Sequence, residues 1–363
     1  MPSVQFFAIY YLLKEQQAFG GKVMTQKRVS IREIAELSGV SVATVSRVIN
    51  NNGRFSETTR QKVMAVIREQ GYETNAMAKG LRMHKSNTIG IVVPDLNNSF
   101  FADLVEKIEQ QLFETGYSTI ICDTARDPRK EAGYLKMLEA KLVDGLIVIS
   151  GLKEFDSQQL SRHVPIVCID RKPNTDKIKY IGSDHYKGAQ LATEKLISAK
   201  TNPILLAGSR DSPSLIDRIK GYQDTLAKNG LQADNTSVIR LTEEEEQTPD
   251  TRRSALREIL RELMTKTQPP IGIFAVSDTL AADVLIAAHS MFISVPSDLK
   301  VIGFDDAPIA RYCYPELTTV RQNTDEIAVH ATSYLVSAIQ GKKEEDSSNN
   351  KLVDVSLVNR STV

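Results

Sequence analysis

One short helical stretch carries side chains whose types suit the edges of DNA bases. Hydrogen-bonding groups alternate there with small apolar ones, and the major groove of DNA presents donors, acceptors and the thymine methyl group to a helix of this size. The candidate contacts are Ser41, Val42, Ala43, Thr44, Ser46, Arg47 and Asn50. These residues predict a helix that binds double-stranded DNA.

Two helices and a tight turn are needed to present that face. Ser30 and Glu33 have the spacing of a capping box, which predicts a helix start at Ser30. Gly39 supplies the permissive backbone for a turn, and Ser41 caps the second helix. The apolar residues spaced to form one small core are Ile34, Ala35, Leu37, Val40, Val45, Val48 and Ile49. The pattern indicates a helix-turn-helix.

A third helix follows and completes a headpiece. Ser56 is its predicted cap, residues 57–70 form it, and Gly71 ends it. The side chains that close the core from this helix are Val63, Val66 and Ile67. A lone helical hairpin would be an ordinary packing unit, whereas three such helices predict a DNA-binding headpiece over residues 24–73.

The charge distribution agrees with DNA binding at one end of the chain. The chain as a whole has no net charge, with 45 Lys and Arg and 45 Asp and Glu. Residues 24–85 hold eleven basic and five acidic side chains, while residues 86–363 carry an excess of seven negative charges. Basic side chains near phosphates release condensed counterions and supply the sequence-independent part of DNA affinity.

The segments VSVATVSRVIN, FSETTRQKV and GY resemble the DNA-binding headpiece of the LacI/GalR family of bacterial transcription regulators. The resemblance extends from Met24 to the C-terminus. It implies a lambda-repressor-like headpiece and hinge helix, followed by a core similar to periplasmic sugar-binding proteins. It also implies a homodimer that binds a DNA operator, a small-molecule sugar as effector, a cytoplasmic location and no cofactor.

The segment at residues 74–86 resembles the hinge helix of this family. In the family that helix enters the minor groove and wedges a Leu between base steps, so the resemblance assigns DNA contacts to Leu81 and Arg82. An unstructured linker is the alternative, because Thr74 stands where the family usually has Pro. Residues 1–23 are expected to be an extension outside the working protein, with translation starting at Met24.

Short apolar runs alternate with helical patterns from Thr88 onward, which predicts an α/β core at residues 87–363 with doubly wound parallel sheets. The predicted strands are Ile89–Val93, Thr119–Cys122, Leu146–Ile149, Ile166–Ile169, Ile204–Ala207, Ile271–Ala275 and Lys300–Gly303. Two subdomains are expected, with the chain crossing near Asp184, near Leu317 and after Gly341. The first is predicted over 87–184 and 319–341, and the second over 185–318 and 342–363.

The loops after these strands carry groups suited to a polyol. Asn97 beside Phe100 and Phe101 offers an amide and two aromatic rings, although both rings have core packing as an equal alternative. Asp170 and Arg171 offer an acceptor and a fork of donors, with an exposed ion pair as the alternative.

Further effector contacts follow from the family resemblance. It implies Arg218 and Asp305 as effector residues and adds Gln322 and Ser277 as candidates, although many members have Asn at the position of Ser277. Asp278 is expected to act mainly as a helix cap. A ribose-like sugar is the preferred effector. A phosphosugar, a purine or a protein corepressor is the alternative.

No pattern typical of catalysis or metal binding is found, so an enzyme is the least favoured function class. The five His residues are scattered, and none of the nucleophile, phosphate-loop or zinc-hydrolase motifs occurs. The three Cys residues lack metal or redox spacing and suit a reducing compartment. The apolar run at residues 4–13 is too short to span a bilayer, so no membrane partner is expected.

Overall fold

The computed structural model of the chain describes residues 29–72, 85–150, 155–231, 237–342 and 350–363. It divides into two compact units, Met1–Lys79 and Gly80–Val363. The predicted extension at residues 1–23 and the hinge contacts Leu81 and Arg82 lie outside the described residues. Within the described ranges, no helix combines the length and the apolar character needed to cross a membrane.

Within residues 29–72, the described part of the first unit, the chain forms three helices, α1 (Ile31–Ser38), α2 (Val42–Ile49) and α3 (Glu57–Glu69). The backbone N–H of Ser30 donates to Glu33 Oε2 at 2.6 Å, and the N–H of Glu33 donates to Ser30 Oγ at 3.3 Å, so the capping box is formed. Gly39 has φ +64° at the turn, in the left-handed region that glycine adopts without strain. These local interactions explain why α1 starts and ends where the sequence predicts.

The core of the headpiece is small and is shared by all three helices. Its buried members are Ile34, Ala35, Val45, Val48 and Val63. The prediction that Leu37 faces this core is wrong, because its side chain is 55% exposed. Ser38 is buried instead, on the same helical face as Ile34, and its hydroxyl donates to the Ile34 carbonyl at 2.5 Å.

The second unit contains twelve strands, eight α-helices and one short 3₁₀-helix, Ser157–Gln159, among the described residues. The strands are β1 (Thr88–Val93), β2 (Ser118–Asp123), β3 (Gly145–Ile149), β4 (Ile166–Ile169), β5 (Lys179–Ser183), β6 (Pro203–Ala207), β7 (Val238–Arg240), β8 (Ile271–Ala275), β9 (Leu299–Asp305), β10 (Thr318–Gln322), β11 (Asn350–Val353) and β12 (Val355–Val358). The α-helices are α4 (Ser99–Glu114), α5 (Pro128–Ala140), α6 (His185–Ser198), α7 (Pro213–Lys228), α8 (Pro249–Lys266), α9 (Asp278–Ser290), α10 (Ile309–Tyr312) and α11 (Thr324–Ile339).

Two six-stranded sheets define two lobes, as the α/β pattern predicts. The first lobe has the order β11-β5-β4-β3-β1-β2, and the second has β12-β10-β9-β8-β6-β7. All neighbouring strands are parallel except β12, which pairs antiparallel with β10. Apolar clusters on both faces of each sheet bury strands against helices, which explains why strands such as β3, β4 and β8 are continuous apolar runs.

Three crossings between the lobes lie in the described ranges, and two of them come later than predicted. The first is at Asp184, between β5 and α6. The second is at Asn323, not near Leu317, because β10 pairs with β9 in the second sheet. The third is at Asp354, not after Gly341, because β11 adds to β5 in the first sheet before β12 joins the second.

Candidate DNA-binding and effector sites

The second helix of the headpiece presents an exposed face. Val42, Ala43 and Arg47 point away from the core and are exposed, and their side chains make no capping bond. The side chains of two other candidate DNA contacts, Ser41 and Asn50, serve the helix itself. Ser41 Oγ accepts from the N–H of Thr44 at 3.2 Å, while Asn50 Nδ2 donates to the Ser46 carbonyl at 2.8 Å. Val42, Ala43 and Arg47 are therefore the candidates whose exposed side chains are not used to cap the helix.

The turn after this helix bonds the Arg47 carbonyl and leaves space beside the Arg47 side chain. The N–H of Asn52 donates to the Arg47 carbonyl at 2.9 Å. Gly53 has φ +92°, and a Cβ at that position would lie 3.3 Å from Arg47 Cδ. A side chain at position 53 would therefore crowd the stem of Arg47, so the glycine leaves room for its observed path.

The second unit has a large cleft, and the carboxyl ends of strands from both sheets open into it. Its volume is about 1390 Å³, above the ~300–1,000 Å³ of ordinary ligand pockets. All nine predicted effector residues line it: Asn97, Phe100, Phe101, Asp170, Arg171, Arg218, Ser277, Asp305 and Gln322. Ligands of open α/β sheets bind at the carboxyl ends of the strands. The candidate residues, several of which were chosen because they follow strands, therefore lie together in this cleft.

Phe100 and Phe101 lie in the first turn of α4, on the first-lobe side of the cleft. Their ring centroids are 5.4 Å apart in an edge-to-face arrangement. Both side chains are buried in the core of the first lobe and also border the cavity. The core-packing alternative is thus realised for both rings, which also give the cleft part of an apolar wall.

Asp170 and Arg171 follow β4 and do not pair with each other. Arg171 binds Glu131 of α5 through two bonds of 2.7 and 2.9 Å, and both Asp170 and Arg171 are buried. The expected alternative of an exposed ion pair is therefore wrong. Asp170 Oδ1 accepts instead from the N–H of Ser183 at 3.2 Å and lies 2.9 Å from His185 Nε2.

Arg218 of α7 is the central cation of the cleft base. Its guanidinium lies over the Phe304 ring, with Cζ 3.6 Å from the centroid. Nη1 donates to the carbonyl of Val276, and Nη2 lies 3.2 Å from His185 Nδ1 and 3.8 Å from Asp305 Oδ1. Stacking and these polar contacts fix the plane of the guanidinium before any ligand binds.

Asp305 stands at the end of β9 in an unusual backbone conformation. Its φ is +126°, a region that residues with a Cβ rarely adopt. Gln322 Nε2 donates to Asp305 Oδ1 at 2.7 Å. Burial raises the pKa of Asp305 to about 7, although Arg218 and Gln322 both act to lower it.

Ser277 and Asp278 divide two tasks at the start of α9. Ser277 caps the helix by accepting from the N–H of Leu280 at 3.3 Å, so the expectation that Asp278 is the cap is wrong. Asp278 is fully buried, accepts from Thr319 Oγ1 at 2.5 Å and from the N–H of Ala307 at 2.7 Å. Burial and the nearby Asp305 raise the pKa of Asp278 well above its usual value. Asp278 thus anchors the turn that follows Asp305.

Several lining residues were missed by the sequence interpretation. Thr124, Arg126 and Asp127 follow β2, and Ser209, Arg210 and Asp211 follow β6. The strand-end rule that located the other candidates could have found both groups. Glu131, Glu246 and Arg252 come from helices or loops distant in sequence, and His185 is buried beneath the cleft, so no local pattern marks them.

Known proteins resemble the chain over nearly its whole length. The family model for bacterial regulatory proteins, lacI family, matches residues 30–75, and a periplasmic binding protein-like domain matches residues 193–363. The sucrose operon repressor of Pediococcus pentosaceus is 36% identical, over 85% of this chain and 92% of the relative. The chain belongs to the LacI family.

This LacI-family regulator also resembles solved structures in fold. A Lac repressor dimer bound to operator and the anti-inducer ONPF matches 93% of this chain and 99% of that one, with a TM-score of 0.78 and 26% identity. A LacI family transcriptional regulator from Enterococcus faecium with bound ribose matches 76% and 98%, with a TM-score of 0.64 and 25% identity. The regulator is therefore a DNA-binding transcription factor with a periplasmic-binding-protein-like core.

Proposed function

We propose that the protein is a repressor of a carbohydrate-utilisation operon, and that an uncharged small sugar in the cleft switches its operator binding. The headpiece would bind the operator through Val42, Ala43 and Arg47. The effector would lie among the nine candidate residues of the cleft base. As a regulator of operator DNA the protein would work in the cytoplasm.

The charge of the cleft wall is the observation that carries the choice of effector. Of the described residues that line the cleft, ten are Asp or Glu and five are Arg. Arg171 is matched by Glu131, Arg252 by Asp283, and Arg218 lies among Asp305, Asp170 and Asp278. A phosphate or carboxylate would meet a net negative wall in which Arg171, Arg252 and Arg218 already have acidic neighbours, whereas a polyol needs only donors and acceptors.

Ribose is the first sugar to test. Asn97, the edges of Phe100 and Phe101, and the Asp170 and Arg218 groups offer the apolar and directional contacts that a sugar ring uses. The Enterococcus faecium structure named above carries ribose in a related fold. The volume of about 1390 Å³ greatly exceeds one sugar, which fits an open state that closes on the ligand.

A thermal-shift screen with matched pairs tests the proposal. D-ribose, other free pentoses and hexoses are compared with their phosphates and with purines, and each hit is then titrated into an operator-binding assay. A ligand at 100 times its Kd stabilises the folded state by about 2.7 kcal/mol, so a true effector raises the melting midpoint clearly. We expect D-ribose to raise it more than D-ribose 5-phosphate. A purine or a sugar phosphate that acts while every free sugar fails would contradict the proposal.

We also propose that the protein is a homodimer. Phe292, Tyr312 and Tyr314 of the second lobe are 95%, 85% and 98% exposed, and aromatic side chains are enriched in interfaces. The Lac repressor structure with the same fold is a dimer on its operator. Two headpieces would then bind two half-sites of a pseudopalindrome. Sedimentation equilibrium measures the assembly state directly, and a monomer at operator-binding concentrations would refute it.

A further inference from the structure

His185 is a buried polar residue that the proposed function does not use. It is the first residue of α6, directly after the crossing at Asp184, and its side chain is only 2% exposed. It does not line the cleft. It lies instead beneath the cleft base, where the chain passes from one lobe to the other.

The imidazole joins two candidate effector residues that belong to different lobes. Nε2 lies 2.9 Å from Asp170 Oδ1, at the end of β4 in the first lobe. Nδ1 lies 3.2 Å from Arg218 Nη2, on α7 of the second lobe. The ring also packs against Phe304, with centroids 5.8 Å apart, and Arg218 stacks on that same ring.

The chemistry of the two partners selects one form of the imidazole. A carboxylate only accepts hydrogen bonds and a guanidinium only donates them. A neutral ring with its proton on Nε2 therefore donates to Asp170 and accepts from Arg218. In the other tautomer an N–H would face the N–H of Arg218 and a lone pair would face the carboxylate, so both contacts would become repulsive.

We infer that His185 is a positioning residue that orients Arg218 for the effector and links that orientation to the first lobe through Asp170. The inference rests on the proposed effector site. Arg218 has two hydrogen-bonding directions fixed by neighbours, the Val276 carbonyl and His185 Nδ1. A ligand that binds both Arg218 and Asp170 therefore acts on both residues that His185 joins. These two residues belong to different lobes, and His185 directly follows the crossing at Asp184.

Two conservative variants separate the two bonds. The amide oxygen of His185→Asn can replace Nδ1 and accept from Arg218, whereas the longer His185→Gln can place its amide N–H near Nε2 and donate to Asp170. His185→Leu removes both bonds. His289→Leu, at an exposed His on α9, is the matched control.

Isothermal titration with D-ribose is the first readout. A hydrogen bond to a charged group is worth enough to change Kd about tenfold or more. We expect His185→Leu and His185→Gln to weaken ribose binding by that amount, and His185→Asn and the control to stay within about threefold of the wild type. Equal affinities for all variants would overturn the inference, because a residue that only fills space would not distinguish Asn from Gln.

The second readout needs no ligand. In protein labelled with ¹⁵N-histidine, the His185 signals are assigned by their loss in His185→Asn. We expect Nε2 to carry the proton and Nδ1 to be unprotonated, and a proton on Nδ1 would overturn the inference. If the wild type binds no sugar, the proposed effector is wrong. The tautomer then still tests whether His185 donates to Asp170 and accepts from Arg218. The tautomer also tests this if His185→Leu fails to fold.

Discussion

The headpiece and the cleft base hold their functional side chains in different ways. In the headpiece, Val42, Ala43 and Arg47 lie within one eight-residue helix and are exposed, so the core behind them holds the helix without using them. In the cleft, Asp170 and Arg218 come from different lobes and are buried against other charged groups. Function and stability should therefore be separable in the headpiece and coupled in the cleft.

The largest expected effect is in the cleft. Arg218→Ala would leave Asp305 and Asp170 as buried carboxylates without their cation, and breaking a buried pair costs about 3–5 kcal/mol. We expect urea unfolding to show a loss of this size together with loss of the effector response. Arg261→Ala, which removes an exposed partner of Glu258, is the control and should cost less than about 1 kcal/mol. Similar losses in the free energy of unfolding for the two variants would show that Arg218 stabilises the fold no more than an exposed ion pair does.

Arg47→Ala tests the opposite behaviour in the headpiece. A side chain that reads base edges contributes about 1–3 kcal/mol of discrimination, so specific operator affinity should fall roughly tenfold to a hundredfold. Because Arg47 is exposed, the free energy of unfolding should not change. Fluorescence anisotropy with a selected operator and with random duplex measures the specificity ratio. Arg68→Ala, at an exposed Arg of α3, should leave that ratio unchanged. A fall in both affinities alike would assign Arg47 to phosphate.

The smallest effect, taken per pH unit, is a pH dependence confined to the cleft. Because the pKa of Asp305 is about 7 in the folded chain and ordinarily 3.8, the folded state binds the proton more tightly than the unfolded state does. Stability should therefore fall as the pH rises from about 4 to 7, by no more than about 1.4 kcal/mol per pH unit for one group. Asp305→Asn should make this slope shallower, with a remainder from Asp278.

Urea titrations across that pH range measure the slope. Asp250→Asn, at an exposed residue near the start of α8, is the control and should leave it as in the wild type. If Asp305→Asn and the wild type have the same slope, burial of Asp305 does not govern its protonation.

Regular elements with continuous apolar runs were predictable, and strands with mixed composition were not. Ile166–Ile169 and Ile271–Ala275 were predicted with their observed ends. Lys179–Ser183 and Thr318–Gln322 contain polar residues and Gly or Thr, so no apolar run marks them, although both strands are largely buried. Missing the latter strand is what misplaced the second crossing.

The nine candidate effector residues were placed in one cleft by two rules, strand ends and family resemblance. Neither rule indicated what those residues contact. Asp170 and Arg171 are neighbours in sequence and were considered as a pair, yet Arg171 binds Glu131 and Asp170 faces His185. The partners lie 40 and 15 residues away along the chain, so only the folded arrangement reveals them.

The sequence by itself determined the headpiece, because capping boxes, turn glycines and helical periodicity act between residues three or four positions apart. It also determined that the core alternates strands and helices, since buried parallel strands require apolar runs. Only the tertiary structure decided which charges neutralise one another in the cleft and that His185 joins Asp170 to Arg218. The physical reason is that burial makes these interactions strong while the chain separation of the partners leaves no local pattern.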